Sequence, residues 1–305
     1  ANTTGTRNVA VGTYSLDANT TANDNTAVGY NAATAITTGV SNTAIGATAL
    51  GTLTTGSRNA ALGYMALQLQ TGASDNVGIG NFAGGAVTTG DYNTLVGSLA
   101  GDGITTASSL TAFGYRALSA PSCTGANNTA VGKDAMLSNT TGSENTAVGT
   151  AALDANTTGV SNVALGRASL GANTTGSSNI AVGEAAMNAN TTGGNNTAVG
   201  GNALTANTTA SNNTGIGKDA LKANTTGDEN TAVGKGALDA NTTGTDNTAL
   251  GYNSLGANTT ASNNVSIGRK SMLVNTTGAG NTAVGAQALD ANTTASNNVA
   301  VGYQS

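Results

Sequence analysis

The sequence predicts an all-β fold, a parallel β-solenoid (β-roll) of about 18 rungs, and three observations predict it. A glycine recurs every 17 residues along the 305-residue chain, with one interval of 18 at Pro121, Ser122 and Cys123. An apolar residue precedes each of these glycines, and a mostly β-branched residue lies two positions earlier. Repeats of fixed length stack one unit on the next, so each repeat is predicted to form one rung.

The recurring glycine is predicted to be the corner that ends each strand. Glycine adopts left-handed backbone conformations without the steric cost that a side chain imposes. The residues assigned to these corners are Gly12, Gly29, Gly132, Gly149, Gly166, Gly200, Gly234, Gly285 and Gly302.

The apolar residue before each glycine, such as Val148, is predicted to form the core. Alternation along a strand places it on the same face as the residue two positions earlier, here Thr146. The small residue between them, Ala147, is then predicted to face outward and to allow close approach of another surface. A second inward column is predicted four residues after the glycine, at Leu153 and its equivalents. The Ala-Leu-Asp-Ala context of that column also permits a single helical turn, and this alternative stays open.

The predicted domain organisation is one repeat array over residues 1–305. The rungs of residues 65–127 are irregular, whereas those of 139–305 are nearly uniform. The chain begins and ends within a repeat, so we expect it to be a segment of a longer protein. A rung buries too little apolar surface to stand alone, and even the array has a lean core. We therefore expect self-association.

Composition argues against several classes of partner. The formal net charge is −5, and no run of Lys or Arg is present, so nucleic acid is not an expected partner. No apolar stretch is long enough to span a bilayer, and we expect no membrane insertion by this segment. Cys123 is the single cysteine, which excludes an internal disulfide framework.

We predict that the chain is not an enzyme and carries no cofactor or metal. It has no histidine, so the usual general base is missing. Paired carboxylates could still hydrolyse glycosides, as some tail-spike proteins do, and a tail-spike glycosidase is a remote alternative. The acidic residues, however, are scattered over equivalent corners: Asp24, Asp75, Asp91, Glu144, Asp228, Glu229 and Asp246 before strands, and Asp17, Asp154, Asp239 and Asp290 after the leucine column.

A column of asparagines in Asn-Thr-Thr sequences has three interpretations. The side chains could form a buried hydrogen-bonded ladder, accept glycans, or border threonine files that bind glycan or ice. Ile36, Leu53, Val87 and Ile104 occupy the same column, which favours burial and the ladder. The candidate glycosylation positions are Asn139, Asn156, Asn173, Asn190, Asn207, Asn224 and Asn241.

Tyrosines recur directly after the corner glycine and could mark a contact surface. Alternatively, their rings simply cover neighbouring rungs. They are Tyr30, Tyr64, Tyr115, Tyr252 and Tyr303.

The repeat resembles a known family at its strand motif. Asn-Val-Ala-Val-Gly at residues 8–12 and 298–302 is similar to the Ser/Asn-Val-Ala-Ile-Gly repeat in head domains of trimeric autotransporter adhesins. The longer Asn-Thr-Ala-Val-Gly, Ala-Leu, Asn-Thr-Thr-Gly pattern is similar to arrays in bacterial surface proteins and phage tail fibres. The unit here is a few residues longer than the head repeat.

This resemblance implies a left-handed β-roll, three chains around one axis, and attachment to host matrix or cell surfaces. The expected function is therefore a structural or adhesive fibre segment, the shaft or head of a surface adhesin or phage tail fibre, in an extracellular, cell-surface or virion location. The alternative is a repetitive glycan- or ice-binding surface on a secreted protein.

Overall fold

A computed structural model describes residues 2–305, which form eighteen three-residue strands, one in each repeat. The described residues contain no helix, so the predicted all-β class is confirmed and the single helical turn does not form. Contacts divide the chain into two compact units, the first ending at Thr158 and the second spanning Gly159–Ser305.

The first unit holds β1 (Val9–Val11), β2 (Thr26–Val28), β3 (Thr43–Ile45), β4 (Ala60–Leu62), β5 (Val77–Ile79), β6 (Thr94–Val96), β7 (Thr111–Phe113), β8 (Thr129–Val131) and β9 (Thr146–Val148). The second holds β10 (Val163–Leu165), β11 (Ile180–Val182), β12 (Thr197–Val199), β13 (Thr214–Ile216), β14 (Thr231–Val233), β15 (Thr248–Leu250), β16 (Val265–Ile267), β17 (Thr282–Val284) and β18 (Val299–Val301).

Within each unit, consecutive strands pair in parallel, and equivalent residues of neighbouring repeats lie side by side. In the second unit, for example, Thr197 pairs with Thr214 and Val199 with Ile216. Register survives the one long repeat, because Thr111 still pairs with Thr129. The predicted parallel β-solenoid with a 17-residue period is therefore confirmed.

The strand faces are the reverse of the prediction. The small central residue points into the coil, since Ala147 and Ala198 are 0% exposed. The apolar residue before the corner glycine points outward instead, with Val148 39% and Val199 36% exposed. The Val column is therefore not the core.

The reason for this reversal is the narrow width of the coil. The central position faces the leucine column so closely that a Cβ on Gly78, which occupies it in β5, would lie 2.6 Å from Cγ of Leu67. Where glycine replaces leucine in that column, the central residue becomes large. A Cβ on Gly84 or Gly101 would lie 2.7 or 2.8 Å from a methyl carbon of Leu95, the one leucine at a strand centre. Alanine elsewhere is the side chain that fits.

The leucine column is buried as predicted, and it turns the chain without a helix. Leu153 and Leu204 are 0% exposed and have φ of 55° and 52°. Each rung also places the residue two positions after the glycine, such as Asn202, in the left-handed region. Non-glycine residues pay a steric cost there of about 1–2 kcal/mol. Hydrogen bonds between rungs offset it, as where the Leu204 N–H donates to the Ala220 carbonyl at 2.9 Å.

Candidate functional surfaces

The corner glycines are required by both conformation and space. All nine that the sequence singled out have φ between 124° and 138°. A Cβ on Gly200 would lie 2.7 Å from both the carbonyl carbon and the oxygen of Gly217 in the next rung. A larger residue would therefore push neighbouring rungs apart.

The asparagines of the Asn-Thr-Thr sequences form a buried ladder in the second unit. Nδ2 of Asn207 donates to Oδ1 of Asn190 at 2.8 Å and to the Ala210 carbonyl at 3.0 Å. All seven candidate glycosylation positions are 0% exposed. Because glycan attachment needs an accessible Nδ2, burial disfavours modification of the folded array, and modification before folding stays a prediction.

A second asparagine ladder runs directly before the strands, and the sequence interpretation did not identify it. The backbone N–H of Asn213 donates to Oδ1 of Asn196 at 2.9 Å, and Asn196 Nδ2 donates to the Ala210 carbonyl at 2.8 Å. The signal was present, since 17 of the 18 repeats carry asparagine at this position. The exception is Leu110, which is also buried.

The two threonine columns differ in accessibility. The first hydroxyl donates to a backbone carbonyl of the next rung, as from Thr191 Oγ1 to Thr208 O at 3.0 Å. The second threonine, such as Thr192, is exposed. The array thus presents one file of accessible threonines rather than two.

The five tyrosines that follow corner glycines are all exposed. Two of them contact rings of the next or preceding rung edge to face, Tyr30 with Tyr14 at 6.2 Å and Tyr64 with Phe82 at 5.5 Å between ring centroids. These contacts agree with rings that cover neighbouring rungs, and the contact-surface interpretation stays a prediction.

The acidic residues have varied environments. Hydrogen bonds from the guanidinium of Arg7 lower the pKa of Asp24, and Arg58 lowers the pKa of Asp75 in the same way. Partial burial raises the pKa of Asp239, and the nearby Asp219 carboxylate raises it further. Across residues 2–305 no three Asp, Glu or Cys side chains converge as metal ligands would, and no pocket is present.

The most extensive unpartnered surface is the outward face of the strands, here called the strand face. It consists of the first and third residue of every strand. Its third-residue file is aliphatic except for Phe113, and Val199, Ile216 and Leu250 are 36%, 39% and 46% exposed. The first-residue file mixes Thr with Val and Ile, and Ile180 is 42% exposed. Each unit therefore carries an apolar stripe one residue deep on every rung.

No protein family model matches this chain, and no curated protein shows significant similarity to it. Within the described residues no helix is long and apolar enough to cross a membrane.

Proposed function

We propose that this chain is a structural or adhesive fibre segment, the shaft or head of an extracellular surface adhesin or a phage tail fibre, that assembles as a homotrimer and performs no catalysis. The observation that carries the proposal is the strand face. A solenoid that functions alone has no need of aliphatic side chains on its outer surface, because a strand can place threonine or charged residues there at no cost in packing.

The size of the strand face supports assembly. Burying a whole Val, Leu or Ile removes about 60–120 Å² of apolar surface at about 25 cal/mol per Å². With third residues roughly 40% exposed and first residues contributing about half as much, nine rungs present about 300–600 Å². Patches of this size mark interaction sites, and a standard interface removes about 800 Å² from each partner. Each unit thus offers a large part of a stable interface.

Three copies around one axis would bury all strand faces together and leave the exposed threonines and tyrosines outward. The resemblance to trimeric adhesin heads supports three copies and a left-handed coil. An outward surface of repeated hydroxyls and rings also suits a host-surface or glycan receptor, which is the partner we propose for an adhesive role.

A repetitive ligand-binding surface is the second candidate function. It is favoured by the exposed threonine file, in which Thr192, Thr209 and Thr226 follow one another at single-rung intervals. A glycan could meet these hydroxyls along the coil. The single file offers less to an ice lattice than two parallel files would.

Sedimentation analysis of the 305-residue chain tests the proposal. The wild type should sediment as a trimer, and replacing Val199 and Ile216 by aspartate should give a folded monomer. The matched control places the same charges elsewhere, with Thr192→Asp and Thr209→Asp, and should remain trimeric. A monomeric wild-type chain, or equal behaviour of the two double variants, would contradict assembly through the strand face.

A further inference from the structure

Charged side chains border the strand face of the second unit with opposite signs on its two sides. The trailing edge is defined as the two residues after each corner glycine, and the leading edge as the two residues before each pre-strand asparagine. The trailing edge carries five basic and two acidic residues: Arg167, Lys218, Lys235, Arg269 and Lys270, with Glu184 and Asp219. The leading edge carries three acidic residues and no basic one: Asp228, Glu229 and Asp246.

Ion pairs within the chain sharpen this asymmetry. Both acidic residues of the trailing edge are occupied, Glu184 by Arg167 and Asp219 by Lys222. Across residues 2–305, by contrast, no ion pair joins any other charged residue of either edge in this unit. The unit therefore presents unneutralised positive charge on one side of the apolar face and unneutralised negative charge on the other.

The two sets of charges also lie at the same height along the coil. Lys218 and Lys235 follow β13 and β14, and Arg269 follows β16. Asp228 and Glu229 precede β14, and Asp246 precedes β15. Both sets thus fall within four consecutive rungs, about 15 Å along the stack at the usual spacing of parallel strands.

We propose that these charged edges select a second copy of this chain that runs in the same direction and in register. When two strand faces meet with their coils parallel, in a dimer or around a ring, the trailing edge of one copy borders the leading edge of its neighbour. Lysines at residues 218 and 235 then face carboxylates at 228, 229 and 246 across the interface. This inference rests on the proposed self-assembly and adds its polarity and register.

The antiparallel alternative brings like charges together. Turning one copy end over end about the middle of these four rungs places trailing edge against trailing edge and leading edge against leading edge. Exposed ion pairs add little affinity, but complementary charge patterns exclude wrong orientations effectively. The apolar face would supply the binding and the edges its direction.

Distance measurements between spin labels test the orientation. Thr175→Cys and Thr243→Cys variants of the full chain carry labels in the exposed threonine file, and Cys123 is buried and does not compete for label. Parallel copies in register give the same distance between like labels at both positions. Antiparallel copies centred on these rungs separate the labels at 175 by about nine inter-strand spacings, about 40 Å, and those at 243 by about one spacing.

Charge reversal tests the cause. Lys218→Glu with Lys235→Glu should lower the association constant at least about tenfold at low salt, and adding Asp228→Lys with Glu229→Lys should restore it. Lys222→Glu, five residues after its glycine and outside both edges, should have little effect. Label distances that differ between positions 175 and 243, or an unchanged association constant after single-edge reversal, would overturn this inference alone. A monomeric wild-type chain would overturn self-assembly as well.

Discussion

Replacing Gln70 by leucine should stabilise the first unit. Gln70 occupies the column that holds asparagine in the uniform rungs, between Leu53 and Val87 in the adjacent rungs. Its side chain is completely buried, and neither Nε2 nor Oε1 has a hydrogen-bond partner. The neighbouring side chains are aliphatic, so they cannot supply one.

The expected gain is about 2–4 kcal/mol. Each buried polar group without a partner costs about 1–3 kcal/mol, and leucine, close to glutamine in volume, removes both groups without leaving a cavity. Asn207→Leu in the second unit is the matched control of opposite sign. It removes the bonds from Asn207 to Asn190 and Ala210, and it removes the acceptor of Asn224 Nδ2 at 3.0 Å. We expect a loss of about 2–4 kcal/mol there.

Amide hydrogen exchange under native conditions measures both effects locally, and urea unfolding measures them globally. For Gln70→Leu, slower exchange should be confined to the rungs around residues 53–87, because each rung contacts mainly its neighbours. For Asn207→Leu, exchange should accelerate around residues 190–224. A destabilised Gln70→Leu variant, or the same sign of change in both variants, would refute the reasoning about satisfied and unsatisfied amides.

Three further outcomes follow from the same geometry. Gly200→Ala should destabilise the second unit by about 3 kcal/mol or more, whereas Gly201→Ala, with no atom within 4 Å of its Cβ, should change stability by less than about 0.5 kcal/mol in thermal unfolding. Asp239→Asn should stabilise the chain at neutral pH, because partial burial raises the pKa of Asp239 and the folded state holds its carboxylate poorly; this advantage should shrink as pH falls through the raised folded pKa and vanish below the unfolded value near 3.8. Cys123 is buried and its pKa is raised, mainly by burial, so a thiol reagent should modify it only as fast as the chain unfolds, and rapid labelling of the native protein would contradict its placement.

The fold class could be predicted from the sequence because the 17-residue period alone determines how rungs stack. The orientation of the strands could not. Alternation shows that Thr146 and Val148 share a face, but it does not show which face points inward. Hydrophobicity favours the valine, whereas the width of the coil favours Ala147. The compensating exchange at Gly84, Leu95 and Gly101 was the sequence signal that large and small residues share one enclosed space.

The candidate surfaces were predictable to different degrees. The buried ladder at Asn207 and its equivalents could be predicted because aliphatic residues replace asparagine in the same column. The strand face was missed, because its residues had been assigned to the core. The charged edges at Lys218 and Asp228 acquire meaning only once that face is known to be exposed, so no pattern of charges along the chain would have identified them.

The register in which each residue pairs with its equivalent in the next repeat has a consequence for how such a gene can change. Removing or duplicating any whole number of repeats rejoins equivalent positions, so the contacts at the junction are those of an ordinary rung. The one extra residue near Pro121 lies in a corner, and Thr111 still pairs with Thr129 beyond it. Recombination between near-identical repeats can therefore adjust the reach of this protein in steps of about 4.8 Å without altering its sides.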